Sequence, residues 1–256
     1  MNHTLYRFLT LSLLTSLMPL LAGAANAQIT VAAAANVQYA MEEISSGFKK
    51  ATGIDVKAVY GSSGKLTTQI RNGAPFDLLV SADMDHPDTL VKWGYATGKP
   101  RPYAYGKLVL WTVKKLDLEK GLAVLADTGV GKIAVADPKR APYGRESIKA
   151  LKHTGIHDAV AARLVFGESI AQVNQYVLLG TVDIGLTAKS IVLAPDLAGK
   201  GVWKEVDSAA YSPIAQGAVV CKYGTEHNPG QSARFLDYLY SPPARSILSK
   251  YGYVLP

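Results

Sequence analysis

Ile29-Thr30-Val31-Ala32-Ala33-Ala34-Ala35-Asn36 decides how this chain is read. Its first residues, Ile29, Thr30 and Val31, are β-branched and strand-like. The run then shrinks to alanines, far smaller than a strand needs, and stops on Asn36. From Val37 to Ala51 the period becomes helical, with Met41, Ile44 and Phe48 on one face. A strand that passes through a small-residue turn into a helix is the repeating unit of an α/β sheet. The alanines leave room beside Asn36, either for a ligand or for close helix packing.

The same alternation continues outward. Strands are predicted at 54–60, 76–81, 107–113, 133–136, 164–166, 183–187, 202–206 and 214–221. Helices are predicted at 65–72, 85–93, 145–153 and 170–179, with final helices over 232–251 broken at Pro242-Pro243. This order predicts an α/β protein with two mostly parallel sheets flanked by helices. Lobe 1 is expected to comprise 28–105 plus 212–256, and lobe 2 106–211. Pro100, Pro102 and Gly106 crowd one boundary and Ser212-Pro213 marks the other, as suits hinge crossings between lobes.

The chain has 256 residues, 48% hydrophobic and 18% charged, which excludes a disordered tail or a collagen-like repeat. A net charge of +7 without a basic block predicts no nucleic-acid surface. The single cysteine, Cys221, excludes an intramolecular disulfide and sits in an apolar run that reads as a core strand. Residues 1–27 read as a signal peptide: His3 and Arg7, an apolar run from Leu9 to Leu21, then Ala25-Asn26-Ala27 as a cleavage site. That run is shorter than the roughly 20 residues of a spanning helix. The mature chain is therefore expected to begin at Gln28 as a soluble, monomeric periplasmic protein.

Enzyme signatures are weak. There is no G-x-S-x-G elbow, and Gly61-Ser62-Ser63-Gly64-Lys65 lacks the first glycine of a phosphate loop. Asp83, Asp85, His86 and Asp88 form an acidic knot, but the twelfth position counted from Asp83 is Gly94, not the glutamate of a calcium loop. It reads as a loop entering a helix, with Asp85 as N-cap. The histidines are scattered, so no metal site and no cofactor are expected.

What recurs is a strand, a small-residue turn and a helix start. Ala35-Asn36, Ser62-Ser63-Gly64, Pro142-Tyr143-Gly144 and Gly167-Glu168-Ser169-Ile170 all fit. Helix N-termini carry unpaired N–H donors and partial positive charge, which suits anions. In α/β sheets such turns gather at the carboxyl edge of the strands, where ligands bind. Taken singly, each turn is an ordinary cap. Two turns from each lobe, with unobstructed backbone, point to an anion held across a cleft.

These stretches resemble periplasmic molybdate-binding proteins of ABC importers, within the type II periplasmic binding protein family. The resemblance is carried by Ile29 to Asn36, by Gly61 to Leu66, and by Gly73-Ala74-Pro75-Phe76-Asp77-Leu78-Leu79-Val80-Ser81-Ala82-Asp83. Ile133 to Pro138, Ala141 to Gly144, Tyr238-Leu239 and Lys250 to Tyr253 extend it over the mature chain. It implies a two-lobed fold with a hinge and a tetrahedral dianion held by neutral donors. Those donors are Asn36 (backbone and side chain), Ser63 (backbone and hydroxyl), and the backbone N–H groups of Tyr143 and Ile170. It also implies molybdate, with tungstate, as ligand, a membrane permease as partner, and no catalysis. Two departures stand out: Ala35 offers no side-chain bond, and Ala188 stands where some members place a tyrosine hydroxyl. Lys189 and Ser190 are the nearest substitutes. A same-fold receptor for sulfate, thiosulfate or phosphate remains an alternative. So do a secreted enzyme using Glu168 beside Ser169 and an adhesion module.

Overall fold

The computed structural model describes residues 27–256. The leader predicted for 1–27 lies, apart from Ala27, outside them. The first elements are β1 (Gln28–Ala34), α1 (Gln38–Thr52), β2 (Asp55–Gly61), α2 (Ser63–Arg71), β3 (Leu78–Val80), α3 (Asp85–Lys92) and β4 (Ala96–Gly106). Next come β5 (Leu108–Thr112), β6 (Ile133–Ala136), α4 (Pro142–His153), α5 (His157–Val160), β7 (Leu164–Gly167), α6 (Ile170–Leu178), β8 (Ile184–Ala188), α7 (Lys189–Val192) and β9 (Val202–Glu205). The chain ends with β10 (Ile214–Cys221), α8 (Lys222–His227), α9 (Pro229–Leu239) and α10 (Pro242–Lys250). Proline at the first position of α4, α9 and α10 costs no hydrogen bond, because that N–H has no helical acceptor.

The strands form two five-stranded sheets of identical plan, one per lobe. Lobe 1 has the order β2-β1-β3-β10-β4 and lobe 2 the order β7-β6-β8-β5-β9. In each, the first three strands are parallel and the last two pairings are antiparallel. The sheets are thus mixed, where mostly parallel ones were expected. The cause is connectivity. β5 and β10 enter their sheets from the other lobe rather than through a helical crossover, so nothing forces them parallel. The parallel half of each sheet carries the strand-to-helix turns.

β4 is the element that sequence patterning did not predict. The stretch with Pro100 and Pro102 is an 11-residue strand paired with β10 at the sheet edge. Prolines are tolerated there because an edge strand needs only one of its two rows of backbone bonds. β4 ends on Gly106, and after Lys107 the chain is already in the lobe 2 sheet.

The apolar face of α1 is buried as its spacing predicts, with Met41, Ile44 and Phe48 at 0% exposure. Phe48 meets Phe235 of α9 edge-on, with ring centroids 5.1 Å apart. Each such side chain contributes roughly 1.5–3 kcal/mol of burial. Cys221 closes β10 in the core, where burial pushes its thiol far above the usual range and keeps it unreactive. No helix among the described residues is long and apolar enough to cross a membrane.

Candidate functional site

The four turns converge on one small cavity between the lobes. Ala34, Ala35 and Asn36 at the end of β1, Gly61, Ser62 and Ser63 at the end of β2, and Ala82 beyond β3 line its lobe 1 wall. Ala141, Pro142, Tyr143 and Ile170 line the other. Asn36, Ser63, Tyr143 and Ile170, dispersed in sequence, thus surround one space. None of the described lining residues carries a charge.

Ser63, Tyr143 and Ile170 stand in the first turns of α2, α4 and α6. The N–H groups there have no acceptor inside the helix. Asn36 lies in a 3₁₀ turn, Ala35–Val37, that leads into α1. The Ser63 hydroxyl is fully buried and accepts a bond from the Ala82 N–H at 3.0 Å, so its own proton stays free to donate. The Tyr143 phenol oxygen instead accepts from Gln216 Nε2 at 3.2 Å, which leaves its amide as the donor of interest.

Asn36 departs from expectation. Its Nδ2 donates to Gln216 Oε1 at 2.8 Å and to the Tyr253 hydroxyl at 2.9 Å, which uses both amide hydrogens. The side chain anchors its turn, and the backbone N–H is what Asn36 has left to offer. Ala188 is buried and does not line the cavity. Nor do its neighbours replace a missing hydroxyl: Lys189 pairs with Glu205, and Ser190 Oγ donates to the Asn36 carbonyl at 2.7 Å.

Ser62 is the residue that sequence reasoning left without a role. It is 3% exposed and lines the cavity, and its Oγ has no hydrogen-bond partner among the described residues. It holds the N-cap position of α2, where a serine hydroxyl is normally spent on the helix, yet it makes no cap bond. A hydroxyl spared from capping is visible only in three dimensions.

Around the cavity the lobes are closed on each other. Gly64 N–H donates to the Arg140 carbonyl at 2.9 Å, and a Cβ on Gly64 would stand 2.9 Å from that same oxygen. Lys65 pairs with Glu168 at 2.8 Å, so the carboxylate beside Ser169 is engaged in an ion pair between the lobes. On the opposite flank Arg145 reaches Asp83 and Asp85, each at 3.2 Å. The acidic knot is thus half of an inter-lobe contact. Asp85 is the first residue of α3, not its cap, and the oxygen that caps this helix start is Asp83 Oδ1, which accepts from the His86 N–H at 3.2 Å. Burial alone would raise the Asp83 carboxyl, but bonds and charge from His86, with a bond from Ser81, hold it below the usual carboxylate range.

Two α/β lobes joined by chain crossings, with a small cavity between them, constitute the periplasmic binding protein fold. The family model for bacterial extracellular solute-binding proteins matches residues 29–254. The chain is 38% identical to the molybdate-binding protein ModA of Rhodobacter capsulatus, over 94% of each chain. It is 39% identical to the ModA of Azotobacter vinelandii, over 92% of this chain and 94% of that one. The solved structure of the Azotobacter vinelandii periplasmic molybdate-binding protein matches with a TM-score of 0.84 at 33% identity, covering 89% of this chain and 99% of that chain. The sulfate-binding protein SubI of Mycobacterium tuberculosis, at 17% identity and a TM-score of 0.73, shares the fold. The chain belongs to the bacterial extracellular solute-binding proteins.

Proposed function

We propose that this protein is an extracytoplasmic receptor for molybdate, and for tungstate with it, that hands the oxyanion unaltered to the membrane permease of an ABC importer. The observation that carries the reading is the cavity itself: helix starts on both walls, two serines on one of them, and no charged side chain among the described lining residues. Its relatives' names point to the same ligand. The donors are the backbone N–H groups of Asn36, Ser63, Tyr143 and Ile170 and the Ser63 hydroxyl, with the unpartnered Ser62 hydroxyl beside them. The protein acts in the periplasm as a monomer, without cofactor or catalysis. Lobe 1 (28–105 plus 212–256) and lobe 2 (106–211) swing about the crossings at Gly106-Lys107 and Ser212-Pro213.

Partial charges at helix N-termini stabilise a dianion without a counter-ion. A site made of donors alone selects a fully deprotonated oxyanion. Hydrogen phosphate brings an O–H that needs an acceptor, and no carboxylate lines the cavity. Sulfate has the right charge but is smaller, so the donors on opposite walls are stretched. Closure sheds water and strengthens each bond.

The test is thermal unfolding of an anion-free preparation with molybdate, tungstate, sulfate and phosphate in turn. A ligand at about 1,000 times its Kd adds roughly 4 kcal/mol. Each kcal/mol moves the midpoint by about 2–4 °C in a chain of this size. Molybdate and tungstate are expected to give large shifts and sulfate and phosphate small ones. A larger shift with sulfate or phosphate would overturn the ligand, and none with any anion would overturn the function.

A further inference from the structure

One buried side chain outside the cavity lining touches both of its walls. Gln216 lies on β10, where the pairing with β4 shifts register between Gln216 and Gly217. Such bulges re-aim side chains. Gln216 is 0% exposed, and its polar atoms are engaged on both sides. Oε1 accepts from Asn36 Nδ2 and from the Tyr103 hydroxyl, both at 2.8 Å, and Nε2 donates to the Tyr143 phenol oxygen at 3.2 Å. Asn36 belongs to the lobe 1 wall and Tyr143 to the lobe 2 wall. The phenol fits here only because Gly106 has no side chain. A Cβ on Gly106 would stand 2.0 Å from the Tyr143 hydroxyl and 2.5 Å from Gln216 Nε2. Gly106 ends β4, where the chain crosses to lobe 2. One hydrogen-bonded cluster therefore joins a hinge strand, a chain crossing and both walls.

We infer that Gln216 is a positioning residue for the oxyanion site: it holds the Asn36 turn through its carbonyl oxygen and receives the Tyr143 phenol through its amide, so that donors of the two walls come into register on closure. The inference rests on the oxyanion reading of the cavity. Gln216 is absent from the cavity lining, so its effect on the ligand passes through Asn36 and Tyr143. A buried amide without a partner is costly. When lobe 2 swings away, Nε2 loses the phenol and must find water. The closed geometry is therefore the one in which the cluster is satisfied without solvent.

The test is a double-mutant cycle on molybdate affinity, measured by calorimetry on the mature protein, with Gln216→Leu, Tyr143→Phe and the double variant. Tyr143→Phe removes one oxygen atom and keeps the backbone N–H. Each single variant is expected to weaken binding about tenfold, as loss of one good hydrogen bond allows. The double variant is expected to be no weaker than the poorer single one, because the two groups act as a unit. The preference for molybdate over sulfate should narrow in all three, a readout that mere loss of fold stability would not move. If Gln216→Leu does not fold, Tyr143→Phe with its affinity and selectivity carries the test alone. Wild-type affinity and selectivity in either single variant, or losses that multiply in the double variant, would overturn the inference while leaving the oxyanion reading intact. A wild-type protein that binds none of the anions removes both.

Discussion

Two regions lie side by side between the lobes and share Ala82 and Pro142 in their walls, yet their chemistry is opposite. The cavity is neutral and rich in donors. The groove beside it is lined by Asp83, Asp85, Arg145, Glu146 and Lys149. There, every buried charge has partners. Glu146, 3% exposed, accepts from Arg145 Nε at 3.3 Å, Lys149 Nζ at 2.9 Å and the Ser212 N–H at 2.9 Å. The difference follows from occupancy. A receptor site must stand empty between ligands, and an unpaired ion in it costs several kcal/mol each time. Backbone donors and hydroxyls can be watered at little cost. Charges that hold the lobes together belong next door, where they meet each other rather than the solute.

The sharpest way to break this comparison is to move a charge from one region to the other. Ser63→Asp puts a carboxylate into the cavity. Two unit charges about 4 Å apart repel by roughly 4 kcal/mol at an effective dielectric of 20, and the ligand is a dianion. Molybdate binding should fall by more than about 1,000-fold. Asp85→Asn removes a charge from the groove, where the Asp85 side chain is 72% exposed. Its effect should stay within about fivefold, as for exposed ion pairs. Calorimetric affinities of the two variants decide it, and equal losses would erase the distinction between the regions.

Removing a donor is gentler than adding a charge. Ser63→Ala should cost about 1–3 kcal/mol of molybdate binding, as a hydrogen bond to a charged ligand is lost. It also strips the Ala82 N–H of its acceptor, so the ligand-free protein should lose some stability. Ser62→Ala separates the two effects. The Ser62 hydroxyl has no partner to lose among the described residues, so the ligand-free unfolding midpoint should hold while affinity falls by a smaller factor. Unchanged affinity in Ser63→Ala would remove that hydroxyl from the site.

What was legible in the sequence is what depends on neighbours in the chain. Apolar runs and helical spacing marked nine of the ten strands among the described residues, and the helix-start turns marked four residues that line one cavity. The exception, β4, carries prolines that argue against a strand unless one knows that it lies at a sheet edge. The roles that went unread depend on distant partners. The Asn36 amide turns to Gln216 and Tyr253, 180 and 217 residues away, and no local rule tells a ligand-facing asparagine from an anchored one. Asp83 looked like part of a loop because Arg145, 62 residues on, is needed to make it half of a contact between lobes. The antiparallel half of each sheet likewise depends on where the chain crosses, not on any residue pattern.

Acid should test the groove and spare the cavity, and its effect is the smallest of these. The Asp83 carboxyl is held below its ordinary range in the folded protein, so the folded state binds fewer protons than the unfolded one as pH falls. Its contribution to stability is therefore fully present above the ordinary aspartate range near pH 4, and is lost as pH falls through the depressed folded value. Between pH 7 and about 5 this group should leave stability unchanged. Below about pH 4 unfolding free energy should decline, with Asp83 adding at most about 1.4 kcal/mol per pH unit to the slope. Denaturant unfolding from pH 5 to 2 on wild type and Asp83→Asn measures the difference. The variant should be less stable at neutral pH and show the shallower slope in acid. Parallel curves would mean that Asp83 titrates alike in both states and that its bonds to His86 and Ser81 do little to lower its carboxyl in the folded protein. The cavity lining has no carboxylate to protonate, so any fall of molybdate affinity in acid should follow protonation of the anion itself and the loss of closure.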